Sequence, residues 1–176
     1  MKFFIVSFLL VTYFFVAGQT SRGNWMAGGS GYFSSSRNKV QEGSRNVLFL
    51  SPNAGYFVRN NLAIGALLEY SYNNNYYYEV YAFNPFLRYY FLKMGDKAKL
   101  MMLAKGGLRF EKTNFPGDAY RTFDIGIGTG LSLFLNQHIA VEGIVSYTSY
   151  WNKNFSTSSI ITFNIGFQYF LRSDKG

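Results

Sequence analysis

The stretch Ile161-Thr162-Phe163-Asn164-Ile165-Gly166-Phe167-Gln168-Tyr169-Phe170-Leu171 decides the fold. Ile161, Phe163, Ile165, Phe167, Tyr169 and Leu171 share one parity, whereas Thr162, Asn164, Gly166 and Gln168 share the other. Successive side chains of a strand point to opposite faces, so this is a strand with one apolar face and one small, polar face. The same alternation recurs upstream. Phe123, Ile125, Ile127, Leu131, Leu133 and Leu135 oppose Asp124, Gly126, Gly128, Gly130 and Ser132. Leu62, Ile64, Ala66, Leu68, Tyr70 and Tyr72 oppose Asn61, Gly65, Glu69 and Ser71. The segments around Tyr81–Phe91, Leu100–Phe110 and Ile139–Tyr147 follow the same rule.

Period-two patterning predicts eight strands, at about 23–35, 46–58, 62–73, 77–92, 98–111, 121–135, 139–151 and 157–171. Short breaks at Arg59-Asn60-Asn61, Met94-Gly95-Asp96 and Asn136-Gln137-His138 alternate with longer or more polar ones such as Ser35–Arg45 and Lys112–Tyr120. Tight turns at one rim and loops at the other suit an all-β, up-and-down antiparallel barrel. The octet Phe57–Ile64 resembles Phe134–Val141, which places two equivalent hairpin turns at the same rim.

Composition agrees. The chain has 176 residues, of which 20% are aromatic and only 15% charged, with 18 Gly and 3 Pro. Disorder needs low hydrophobicity and high charge, and is excluded. The absence of Cys excludes a disulfide scaffold, a thiolate metal site and a Cys nucleophile, and a single His excludes a His-rich metal centre. The net charge is +8, but the cations are scattered singly without a basic run, so nucleic acid is not an expected partner.

The first residues read as an address. Met1-Lys2 precedes an apolar run from Phe3 to Ala17 that is shorter than the roughly 20 residues of a spanning helix. A basic start, a short apolar core and the small residues of Val16-Ala17-Gly18 describe a secretory signal peptide over residues 1–18, cleaved before Gln19. Residues 19–176 then form the barrel domain, exported from the cytoplasm.

Alternation alone does not say which face meets water. A soluble lipocalin-like barrel, holding a small apolar ligand, turns its apolar parity inward; a membrane barrel turns it outward. Three features favour the membrane. The polar parity is rich in Gly, Ser, Thr and Asn, which fit a narrow lumen better than a water-facing surface. Trp25, Tyr56, Phe57, Tyr89, Phe91, Tyr147, Trp151 and Tyr169 fall near strand ends, as interfacial girdles do. The last strand is apolar along one whole face.

The segments Asn24–Ser30, Ser51–Phe57, Asn84–Phe91 and Gly130–Asn136 running into Ile139-Ala140-Val141-Glu142 resemble the outer-membrane β-barrel protein family of Gram-negative bacteria, of the small eight-stranded OmpA/OmpX type. The resemblance covers nearly all of residues 19–176. It implies an outer-membrane location with both termini in the periplasm, no catalytic residues and no cofactor. It also implies engagement with the barrel-insertion machinery. Members often end on an aromatic, whereas this chain continues past Leu171 from Arg172 to Gly176.

Inward parity carries Glu69, Arg88, Lys105, Arg109, Glu111, Asp124 and Glu142. Buried charges must pair, so Arg88 is expected with Glu69 or Glu142, and Lys105 or Arg109 with Asp124, closing the lumen. The competing reading is an ion or proton path, that is, a small passive pore. Gly126-Ile127-Gly128-Thr129-Gly130 lacks both the spacing and the following helix of a phosphate loop, and is read as making room for inward Phe86, Tyr90 or Phe134. His138 and Ser132 have no acid placed beside both, so no triad is assigned. The polar, aromatic run Asn73–Tyr78 is a turn entering a girdle, with sugar contact as its alternative. Arg37, Lys39, Arg45, Lys112, Arg121 and Lys153 lie in or beside the loops as candidate contacts for lipopolysaccharide phosphates. The sequence therefore predicts a monomeric barrel surrounded by outer-membrane lipid, neither enzyme nor metal protein, with a structural or surface-interaction role.

Overall fold

The computed structural model describes residues 19–37, 44–74, 78–112, 119–152 and 155–172. The expected signal segment, residues 1–18, lies outside them, as do Lys39, Lys153 and residues 173–176. Eight strands follow one another: β1 (Trp25–Arg37), β2 (Ser44–Arg59), β3 (Leu62–Asn73), β4 (Tyr78–Met94), β5 (Ala98–Lys112), β6 (Ala119–Phe134), β7 (Ile139–Asn152) and β8 (Phe155–Leu171). Each pairs antiparallel with the next, and β1 pairs with β8, so the sheet closes into a barrel. No strand end departs from its predicted position by more than two residues.

Two tight turns have a local cause. Asn61 and Gly95 adopt positive φ (65° and 63°), which Gly takes freely and Asn tolerates better than most residues. They reverse the chain between β2 and β3 and between β4 and β5.

The barrel is inside-out relative to a water-soluble one. Ile125, Ile127, Phe163, Ile165 and Phe167 are 54–66% exposed on the outer wall. Their neighbours of opposite parity, such as Asp124, Ser146, Thr148 and Gln168, are buried in the lumen. A continuous apolar belt of this extent on a closed sheet is stable only against lipid, so the barrel is a transmembrane one. Trp25 and Tyr56 meet on that wall at the turn end, with ring centroids 5.1 Å apart. Tyr70 and Tyr81 do the same further along, also at 5.1 Å.

Phe57 departs from the predicted girdle. It is fully buried inside the barrel, because inward parity continues to the end of β2. The glycines also act differently from expectation. Phe86 is accommodated by Gly55 and Gly65, where a β-carbon would lie 3.2 and 2.5 Å from its ring. Gly126 instead makes room for the Lys105 stem and Gly130 for Met101.

If this facing is right, Ile165→Arg should cost about 2–4 kcal/mol of folding free energy, because it places a charge near mid-membrane depth. Leu92→Arg, outward beside the β4–β5 turn, should cost at most about 1 kcal/mol. Denaturant titration of the protein folded into lipid vesicles, read by gel mobility without boiling, measures both. Equal costs, or a larger cost for Leu92→Arg, would reverse the depth assignment.

Candidate functional site in the barrel lumen

The lumen divides into two halves. At the turn end, Met26, Phe57, Tyr90, Met101, Phe134 and Phe170 form a buried cluster that includes Ala63 and Ala140. Phe170 packs against Phe57 and Phe134, with ring centroids 6.2 and 5.2 Å away. These apolar side chains occupy the parity that is otherwise polar. Their signal lay in runs where alternation fails near strand ends, such as Tyr169-Phe170-Leu171 and Leu100-Met101-Met102-Leu103.

Above the cluster lies the most buried ion pair. The Arg88 guanidinium donates to Glu142 Oε2 at 2.8 Å and stands 5.2 Å from the Phe86 ring centroid. Tyr90 and Ser132 hydroxyls donate to Glu142 Oε1 at 3.1 and 2.7 Å. β4, β6 and β7 thus converge on one carboxylate. A desolvated charge survives only when so satisfied.

Below the cluster, residues 19–24 fold across the mouth. Asn61 N–H donates to the Thr20 carbonyl at 2.7 Å, and Gly23 N–H to the Phe57 carbonyl at 2.9 Å. Lys99 donates to the Thr20 hydroxyl at 2.6 Å, and the Gln19 amide to the Asn136 carbonyl at 3.1 Å. The sequence reading did not anticipate this strap.

The loop-end half is polar and less filled. Glu69 bridges two cations: Lys105 at 2.9 Å and Arg109 at 2.8 Å. Arg109 also lies over the Tyr150 ring, 4.8 Å from its centroid. This corrects the expected pairing of Lys105 or Arg109 with Asp124, and resolves the Arg88 alternatives in favour of Glu142. Asp124 lies opposite Gly107, between Lys105 and Arg109 on the neighbouring strand, yet both cations reach across β4 to close on Glu69 instead. Both Asp124 carboxylate oxygens are buried without a well-formed hydrogen bond, beside the Asn84 amide. Glu111 stands nearer the loops on the same inward parity of β5. Between the Arg88 pair and the loops is a cavity of about 330 Å³, lined by Glu69, Arg88, Lys105, Arg109 and Glu142 together with Ser, Thr and Asn side chains.

His138 sits at the turn rim, its Nδ1 3.0 Å from the Phe170 carbonyl and its ring stacked on Tyr169. Ser132 is inside the lumen on Glu142. At the loop rim, Lys112 and Arg121 are exposed. Lys112 Nζ is 5.9 Å from the Tyr81 ring centroid, and the Arg121 guanidinium 5.6 Å from that of Phe110. Arg37 ends β1 and Arg45 lies at the start of β2, on the same rim.

Fold and lumen together define the class: a small transmembrane β-barrel with a polar interior and an apolar cluster at its turn end. Solved structures similar to it include two bacterial barrels. The crystal structure of neisserial surface protein A (NspA) matches with a TM-score of 0.56 at 16% identity, over 85% of this chain and 95% of that one. The crystal structure of the N-terminal β-barrel domain of Pseudomonas aeruginosa OprF matches with a TM-score of 0.53 at 13% identity, over 85% and 98%. What they share with this chain is the fold. No protein-family model matches the sequence, and no curated protein matches it.

Glu142→Ala should destabilise the folded barrel by about 3–5 kcal/mol, since it strands the Arg88 charge. Arg88→Ala should cost less, because Tyr90 and Ser132 still donate to the remaining carboxylate. Arg88→Met with Glu142→Leu should recover most of the loss. Unfolding in vesicles by guanidinium measures all three; an Arg88→Ala cost above that of Glu142→Ala would refute this ranking.

Proposed function

We propose that the chain is an integral outer-membrane protein of non-enzymatic character. In this reading its lumen does not conduct, both termini lie in the periplasm, and it acts structurally or through its loop-end surface. One observation carries this: the turn-end half is filled by the aromatic cluster, the Arg88–Glu142 pair and the strap of residues 19–24. Eight strands leave an interior about wide enough for side chains, and here long side chains fill it. The resemblance to outer-membrane barrels and the signal-like residues 1–18 support the location. The apolar outer wall argues against the soluble, lipocalin-like alternative.

The loop rim supports contact with lipopolysaccharide phosphates. Lys112 and Arg121 stand beside outward Tyr81 and Phe110, the level at which an aromatic girdle meets head groups. Arg37, at the end of β1, and Arg45, near the start of β2, would extend this basic rim; the sequence candidates Lys39 and Lys153 lie outside the described residues. Cations there take phosphate through charge-assisted hydrogen bonds.

Purified protein in a planar bilayer should give no steady current. Removing the plug by Phe57→Ala with Phe170→Ala should introduce one if the barrel survives. Reproducible single-channel steps from the unmodified protein, with selectivity altered by Glu142→Gln, would replace this reading with a pore.

A further inference from the structure

Four buried polar atoms of the loop-end half lack a well-formed hydrogen bond and belong to one pair of side chains: Nδ2 and Oδ1 of Asn84, and both carboxylate oxygens of Asp124. They lie on one row across the wall. The β4–β5 register, with Phe83↔Leu108 and Phe86↔Lys105, sets Asn84 opposite Gly107, and the β5–β6 register sets Gly107 opposite Asp124. Gly107 lets the outer two approach. A β-carbon there would stand 2.5 Å from Asn84 Oδ1 and closer still to the Phe83 carbonyl oxygen. The Asn84 amide and the Asp124 carboxyl therefore meet over the bare glycine. This row is set by registers that run on through β5. It owes nothing to the closing seam, where β1 and β8 pair only from Trp25↔Leu171 to Ser30↔Gly166.

Both side chains are buried, Asn84 completely. An ionised carboxylate in such a place needs donors, and charged ones are close by. Lys105 and Arg109 flank Gly107 on the inward parity of β5. Tyr150 faces Asp124 from β7, Glu69 from β3, and Glu111 lies beside Tyr150 towards the loops. Yet both cations close on Glu69, at 2.9 and 2.8 Å, and Arg109 also donates to the Tyr150 hydroxyl at 3.4 Å. A bare carboxylate between two such cations would draw at least one of them. Asp124 draws neither.

The charges of the lumen agree. Between the aromatic cluster and Glu111, the described inward residues supply three cations, Arg88, Lys105 and Arg109, and four carboxyls, Glu69, Glu111, Asp124 and Glu142. They balance only if one carboxyl is neutral. Glu142 holds Arg88, Glu69 holds the two β5 cations, and Glu111 is partly exposed. Asp124 is the buried one outside every ion pair among the described residues.

A neutral carboxyl has one O–H donor and one carbonyl acceptor, and a primary amide offers the matching acceptor and donor. Face to face they make two antiparallel hydrogen bonds. Asp124 O–H donates to Asn84 Oδ1, and Asn84 Nδ2–H donates to the other Asp124 oxygen. One proton thus satisfies all four orphaned atoms, each costly to leave unmade.

We propose that Asp124 is a proton-binding site of the folded barrel: its protonated carboxyl pairs with the Asn84 amide over Gly107 and leaves Lys105 and Arg109 to Glu69. The proton and the Glu69 bridge are then coupled. Where Glu69 does not hold the two cations, they turn to Asp124 and its proton leaves to solvent. This goes beyond the surface role proposed above and rests on neither that role nor a closed lumen.

Infrared spectroscopy of the unmodified protein in lipid nanodiscs at neutral pH should show the carbonyl stretch of a protonated carboxylic acid, apart from the amide and carboxylate bands. Its absence would overturn the proposal. Asp124→Asn should abolish the band; a band that survives belongs to another carboxyl and overturns the assignment. The same variant should resist guanidinium at least as well as the unmodified protein, because an amide has the shape of the neutral acid and pairs with Asn84 in the same way. A fall of about tenfold or more in its folding constant would assign an ionised Asp124 to the β5 cations and overturn the proposal. Asn84→Leu should move the band to higher frequency, as the acid carbonyl loses its donor; an unmoved band would overturn the amide pairing. Glu69→Gln should remove the band, as the released cations ionise Asp124. A band retained in that variant would overturn the coupling.

Discussion

Everything in this molecule depends on the rule that backbone polar groups in hydrocarbon must find partners within the protein. A sheet obeys it by closing, and here closure is made by β1 against β8. With eight strands the ring is narrow, and a narrow ring forces the inward parity into small residues or mutually satisfied large ones. Arg88, Glu142, Tyr90 and Ser132 are one such solution; Glu69 between Lys105 and Arg109 is another. Neither would be tolerable half made, since a single buried charge without its partner costs more than the pair contributes.

The same rule is met unequally along the barrel. At the turn end the seam is laddered, the interior is filled with rings and sulfur, and residues 19–24 tie β2, the β2–β3 turn and the β6–β7 turn together. At the loop end the ladder stops and the interior holds space. The polar face therefore serves two purposes. Near the turns it admits apolar side chains that exclude water; further up it keeps charges and hydroxyls around a cavity.

Much of the fold was legible because period two is a strong local signal. The parity of Ile161–Leu171 or Phe123–Leu135 is fixed by the pleat and needs no knowledge of partners. The identity of the inward charges was legible for the same reason. Their pairing was not, because whether Lys105 meets Glu69 or Asp124 depends on how long side chains reach across neighbouring strands of the closed ring. Phe57 was misread as a girdle residue because an aromatic near a strand end looks alike from either face. Only continued parity from Asn53 through Gly55 distinguishes it. The strap at Gln19–Asn24 and the gap in the seam left no periodic trace, since both arise from how chain ends meet across the ring.

The uneven seam also gives the barrel uneven mechanics. Its turn-end half is a stiff hoop, with a diameter fixed by packed rings and a continuous ladder. Its loop-end half is a split collar, joined through seven interstrand ladders but open at the eighth. Lateral pressure from the surrounding bilayer acts on both, yet only the collar can change circumference without breaking backbone hydrogen bonds. Its width is then set by the membrane as much as by the protein.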